Sequence, residues 1–109
     1  IVRNERISTL RRPPAITHVL VTSRGSGDQQ VLLLEVRGRS FSEMSSVELI
    51  ARRDGYLQPL PDAERRDART ILARVPIHLI DPGLYDVVVI GGDEQTARLL
   101  EPIVLPPPD

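Results

Sequence analysis

Apolar residues recur along this chain in short extended runs, many of them alternating with polar ones, and glycine, proline and polar turns close each run. From Ile16, the residues Ile16, His18 and Leu20 fall on one side and Thr17, Val19 and Val21 on the other, which predicts a strand. The polar stretch 23–28, rich in glycine and serine, turns the chain. A second run over 31–36 stops at Gly38, and a third over 47–51 stops at Asp54-Gly55.

Two periods compete over 62–79. Ala68, Ile71, Leu72 and Val75 fit helical spacing, with Asp62 as a cap, whereas Ile71, Ala73, Val75, Ile77 and Leu79 alternate for longer. Pro76 would break a helix where that alternation continues, so a strand over 70–79 is expected, with Pro76 at an edge or bulge. The charged stretch 62–69 is then expected to be a loop, with room for one helical turn. Asp81-Pro82-Gly83 signals a turn, 84–90 reads as a buried strand, and Gly91-Gly92-Asp93 turns the chain again. A last strand over 96–105 is interrupted at Pro102. Six or seven short strands with turns at roughly 8–12-residue spacing predict an all-β sandwich.

Length and composition narrow this reading. At 109 residues the chain fits one core, expected over 14–105, with a connecting arm or edge strand over 1–13 and a proline-rich tail over 106–109. The start at Ile1 is read as that of an excised fragment or processed product. Leu, Val and Ile supply 34 residues and aromatics only 3%, so aliphatic side chains must fill the interior. All fourteen cations are Arg, balanced by fifteen acids to a net charge of −1, so nucleic acid and anionic membranes are not expected partners. Without cysteine there is no disulfide, no thiolate metal site and no thiol nucleophile.

In this order and spacing the chain resembles the IPT/TIG family of immunoglobulin-like domains. Pro14-Ala15-Ile16-Thr17 looks like the family's opening strand, and the run 34–41, ending Gly38-Arg39-Ser40-Phe41, resembles its second strand with a Gly-x-x-Phe corner. Pro82-Gly83-Leu84-Tyr85-Asp86-Val87-Val88-Val89 is similar to its Pro-Gly-x-Tyr-x-Val-x-Val strand. The resemblance implies an immunoglobulin-like β-sandwich of about seven strands. It departs from the family in lacking a proline near the end of the first strand and in its Arg-rich insert. Within this frame Gly38 is expected at a positive φ or a bulge, Phe41 as a plug at the end of the core, and Tyr85 as a tyrosine-corner residue bonded to backbone. Pro82 and Gly83 are assigned to the turn before that strand.

Candidate chemistry is sparse. Residues 86–100 pattern as the strand, glycine turn and helix of a dinucleotide-binding unit, but the third glycine is missing and Pro102 ends the helix after two turns. His18 and His78 are far apart in sequence with no ligand cluster beside them, and the 24–28 loop lacks the Gly-Lys-Ser/Thr ending of a phosphate loop. Asp62, Glu64 and Asp67 interleave with Arg65, Arg66 and Arg69, which neutralise them rather than leave them for calcium. The expectation is a non-catalytic structural or interaction module without cofactor or metal, docking neighbouring domains or subunits through edge strands or through Arg52, Arg53, Arg65, Arg66 and Arg69. An accessory domain of an extracellular carbohydrate-active enzyme is the alternative, and a phage-tail-like particle component a further setting.

Overall fold

The computed structural model describes residues 13–92 and 94–107, and these form nine strands in two antiparallel sheets. Sheet A contains β1 (Ala15–Arg24), β2 (Val31–Arg39), β5 (Glu64–Asp67) and β6 (Thr70–Val75), in the order β1-β2-β6-β5. Sheet B contains β3 (Ser46–Ala51), β4 (Leu57–Leu60), β7 (Gly83–Ile90), β8 (Thr96–Arg98) and β9 (Ile103–Leu105), in the order β4-β3-β7-β8, with β9 also on β7. The two sheets close over one core, and the fold is a β-sandwich.

Period-two alternation explains how the central strands close it. On β2 and β6 the inward residues Leu32, Leu34, Val36, Ile71, Ala73 and Val75 are buried, and on β3 and β7 Val47, Leu49, Ala51, Tyr85, Val87 and Val89 meet them in the same cluster. Each Leu, Ile or Val side chain buried in this way contributes about 1.5–3 kcal/mol. Phe41 closes one end of the cluster just beyond β2.

Nine strands replace the expected seven, and each difference has a local cause. The charged stretch 62–69 is not a loop: residues 64–67 form β5, which pairs along β6 and holds four charged residues at the edge of sheet A, three of them exposed to water. β4 was not legible because its four residues include Pro59, a residue tolerated only on an edge strand. The strand expected over 70–79 ends at Val75. Pro76 opens a turn in which the Leu79 N–H donates to the Pro76 carbonyl at 2.8 Å, so the proline terminates the element rather than sitting within it.

The last strand divides in two along one edge of β7. β8 pairs with Val88, Val89 and Ile90 and β9 with Gly83, Leu84 and Tyr85, so residues 99–102 on one side face only 86–87 on the other. The segment after Gly92 therefore runs antiparallel in a sheet, which is incompatible with the strand–helix–strand unit weighed for dinucleotide binding. Residues 1–12 of the expected arm and 108–109 of the tail lie outside the described residues; Pro13, Pro106 and Pro107 are outside the strands.

The β2–β3 corner, expected to give Gly38 a positive φ or a bulge, has the bulge beside it and not the positive φ. Gly38 does not have a positive φ; the left-handed residue there is Ser40, at φ 61°. What demands glycine at 38 is proximity: a Cβ on Gly38 would stand 1.9 Å from the Ala15 carbonyl oxygen, where β1 shifts register between Ile16 and His18. The bulge belongs to β1 and is pressed against Gly38.

Candidate functional site

β3 and β7 expose one face of sheet B to the outside, and the residues on it are largely aliphatic. The alternation that buries Tyr85, Val87 and Val89 turns Leu84, Asp86, Val88 and Ile90 outward, and on β3 it turns Glu48 and Ile50 outward. Register then sets Leu57 and Asp86 on either side of Ile50, and Val104 beside Leu84. Leu57, Leu84 and Val104 are 47%, 48% and 62% exposed. An antiparallel sheet facing water ordinarily alternates apolar-in with polar-out, and this face does not.

Its polar centre is Asp86, only 3% exposed although it points away from the core. Two guanidinium groups cover it. Arg52, just past β3, donates from Nε to Asp86 Oδ1 at 2.9 Å, and Arg98 of β8 donates from Nη2 to Oδ2. The hydrogen bond from Arg98 does most to hold the Asp86 carboxyl below the usual carboxylate range; burial opposes it and Arg52 reinforces it. A folded-state pKa below the unfolded value means that this stabilisation is complete above the ordinary Asp pKa of about 3.9. It is lost as pH falls through the folded value. Asp86→Asn is therefore expected to cost about 1–3 kcal/mol at neutral pH, with the gap from the unsubstituted protein narrowing below about pH 3.9. Urea midpoints measured at neutral and acidic pH check this, and a gap that does not change with pH contradicts it.

At one end of the same sheet a concavity of about 400 Å³ lies between Arg52, Arg53 and the segment 82–85. A smaller one of about 140 Å³ shares Arg53 and Tyr85 and is lined also by Tyr56 and Leu79. Gly83 forms part of the larger wall at φ 142°, a conformation that favours glycine, while Pro82 is exposed beside it. The Tyr85 hydroxyl donates to the Asp81 carbonyl at 2.6 Å, four residues back. Burial pushes the Tyr85 phenol up, against a lowering by Arg53, so it remains a protonated donor that fixes the turn.

Searches against family models, curated proteins and solved structures match nothing. The arrangement of the chain's own residues therefore carries the functional argument.

The five arginines expected to form a contact surface do not form one patch. Arg65 Nε donates to the Phe41 carbonyl at 3.0 Å, and the Arg69 carbonyl accepts from Gly38 N–H, so both sit at the end of the sandwich where β2 leaves sheet A. Arg66 lies 3.7 Å from Glu64 on the β5 edge. Arg52 and Arg53 follow β3 at its far end, and Arg53 Nη2 is 2.7 Å from Asp81 Oδ2. Six strand residues separate the two groups, about 20 Å. His18 is exposed on β1, and His78 Nε2 lies 2.7 Å from the Gly27 carbonyl. Among the described residues no three His, Cys, Asp or Glu side chains gather as a metal site would require.

Asp86, Arg98 and the exposed aliphatics were missing from the expected surface. Residues 84–90 are apolar at both parities except Asp86, which reads as a strand buried on both faces. The one signal was a lone carboxylate within a strand that reads as buried on both faces, where a charge needs partners.

Proposed function

We propose that the chain is a non-catalytic immunoglobulin-like module of the IPT/TIG type that docks a neighbouring protein domain or subunit on the outer face of sheet B. Strand order supports the immunoglobulin-like part: β1-β2-β6-β5 facing β4-β3-β7-β8 corresponds strand for strand to A-B-E-D against C′-C-F-G. Tyr85, at the start of the F-equivalent strand with its hydroxyl on the Asp81 carbonyl, supports it independently as a tyrosine corner. The segments that carry the IPT/TIG resemblance support this reading by their positions: 14–17 enters β1, 38–41 lies at the end of β2 and the corner after it, and 82–89 makes the turn and β7.

One observation carries the docking role, namely the aliphatic outer face on which Leu57, Leu84 and Val104 stand exposed around the covered Asp86. Apolar side chains grouped in this way mark a contact surface, and a chain of net charge −1 favours a protein partner over nucleic acid. The Asp86 carboxylate is engaged by two arginines and the Tyr85 hydroxyl by backbone, so these groups serve geometry rather than proton transfer.

Hydrogen exchange of this 109-residue chain, compared with the complete product of its gene, tests the reading. Slowed exchange in β4, β7 and β9 within the complete product is expected, and Leu84→Lys with Val104→Lys should abolish that slowing while leaving unfolding within about 0.5 kcal/mol. Identical exchange of these strands in both contexts would overturn it.

A further inference from the structure

A sandwich has four sheet edges, and here three of them are blunted. β5 is four residues long, is charged at every position and shifts register between Arg65 and Asp67. β4 is equally short and holds Pro59, and the β8–β9 edge is broken by residues 99–102 with Pro102. Charges, prolines, bulges and shortness are the means by which edge strands avoid pairing with other chains.

β1 has few of these protections. It runs for ten residues and pairs with β2 along one side, and among the described residues no strand pairs with its other side. Its single irregularity falls between Ile16 and His18, which leaves 18–24 in regular register without proline or acid. Leu20 and Val21 stand 50% and 37% exposed there. Val21 shares its parity with Val19, which packs against the core, so an inward-facing valine is left partly uncovered.

The chemistry of such an edge, a row of backbone N–H and C=O groups flanked by aliphatic side chains, matches an extended peptide strand. The sequence identifies which strand. Around Leu20 the flanking residues are compatible in both directions: Val19 and Val21 are identical, Thr17 and Ser23 both carry hydroxyls, and His18 and Thr22 differ without opposing like charges. Antiparallel pairing of this segment with itself places Leu20 on Leu20 at a two-fold axis and Val19 opposite Val21, and it opposes no like charges. Directly opposed residues point to the same side, so the core-facing side of one sheet A continues into that of the other.

We infer that a second copy of this chain pairs with it through β1, antiparallel about Leu20, joining two four-stranded sheets into one of eight strands. This contact lies on sheet A and is separate from the docking face proposed on sheet B.

Sedimentation equilibrium of the full chain over roughly 1 µM to 1 mM tests it. A reversible monomer–dimer equilibrium is expected, and Leu20→Lys, which sets two ammonium groups against each other at the axis, should weaken it at least about tenfold. Leu20 is half exposed, so that variant keeps its fold, which circular dichroism verifies. Leu20→Cys, in a chain that has no cysteine, should join copies through a short thiol-reactive cross-linker. Leu84→Lys should leave the dimer unchanged. A chain that stays monomeric throughout, or a dimer indifferent to Leu20→Lys, would overturn the inference. So would a dimer lost with Leu84→Lys alone, which would assign self-association to sheet B.

Discussion

Replacing Phe41 with alanine is expected to remove about 3–5 kcal/mol of folding stability. The ring is the only phenylalanine in the chain and is buried at the end of a core made otherwise of aliphatics and one tyrosine. Its backbone is held on both sides, with the N–H donating to the Ala68 carbonyl at 2.9 Å and the carbonyl accepting from Arg65 Nε at 3.0 Å. The corner therefore has little freedom to collapse into the space the ring would leave, and a cavity that cannot relax gives the upper part of the range. Domains of this size have a net stability of about 5–15 kcal/mol, so the variant should stand close to its unfolding threshold. Urea denaturation checks this through a lower midpoint at unchanged slope. Phe41→Leu, which keeps most of the volume, should cost less than about 1.5 kcal/mol. Near-equal losses in the two variants would mean that the ring does not close the core.

Gly38→Ala is expected to be nearly as damaging, at about 3 kcal/mol, for the opposite reason. The added methyl would stand 1.9 Å from the Ala15 oxygen and 2.7 Å from Phe41 Cζ. A side chain can rotate away, but the Ala15 carbonyl belongs to β1 and moves only if β1 separates from β2 near its bulge. Since Gly38 does not occupy the left-handed region, the cost is one of contact and not of backbone preference. At about 4–8 °C per kcal/mol for a domain near this size, thermal unfolding should fall by at least about 12 °C. Combined with Phe41→Ala the loss should be less than additive, because one of the two clashes disappears with the ring. A melting temperature within about 2 °C of the parent would show that β1 has room to move.

These two positions also show what the sequence makes legible. Gly38 and Phe41 stand out because one lacks a side chain after a strand and the other is unique. Their place in the molecule follows, although the reason for the glycine does not, because a close approach from β1, more than twenty residues earlier, leaves no local mark. The central strands β2, β3 and β7 declare themselves through aliphatic runs that the core requires. Edge strands do not: β5 is made of Glu64, Arg65, Arg66 and Asp67, and its strand character comes from hydrogen bonds to β6 rather than from its own side chains. The Asp86 clamp was hidden for a related reason, since Arg52, just past the end of β3, and Arg98 of β8 approach from either side of β7. Pairings set by register across a sheet cannot be read along one strand.

The mismatch of residues 99–102 against 86–87 has a mechanical consequence. Tension applied at Pro107 reaches β9 first, and β9 is held to β7 by only three rungs, on residues 83–85. The ladder is then interrupted, so tearing does not run on into β8, where Arg98 is anchored to a carboxylate as well as to backbone. A load from that end is thus shed in a small yielding step before the body of the sandwich has to bear it.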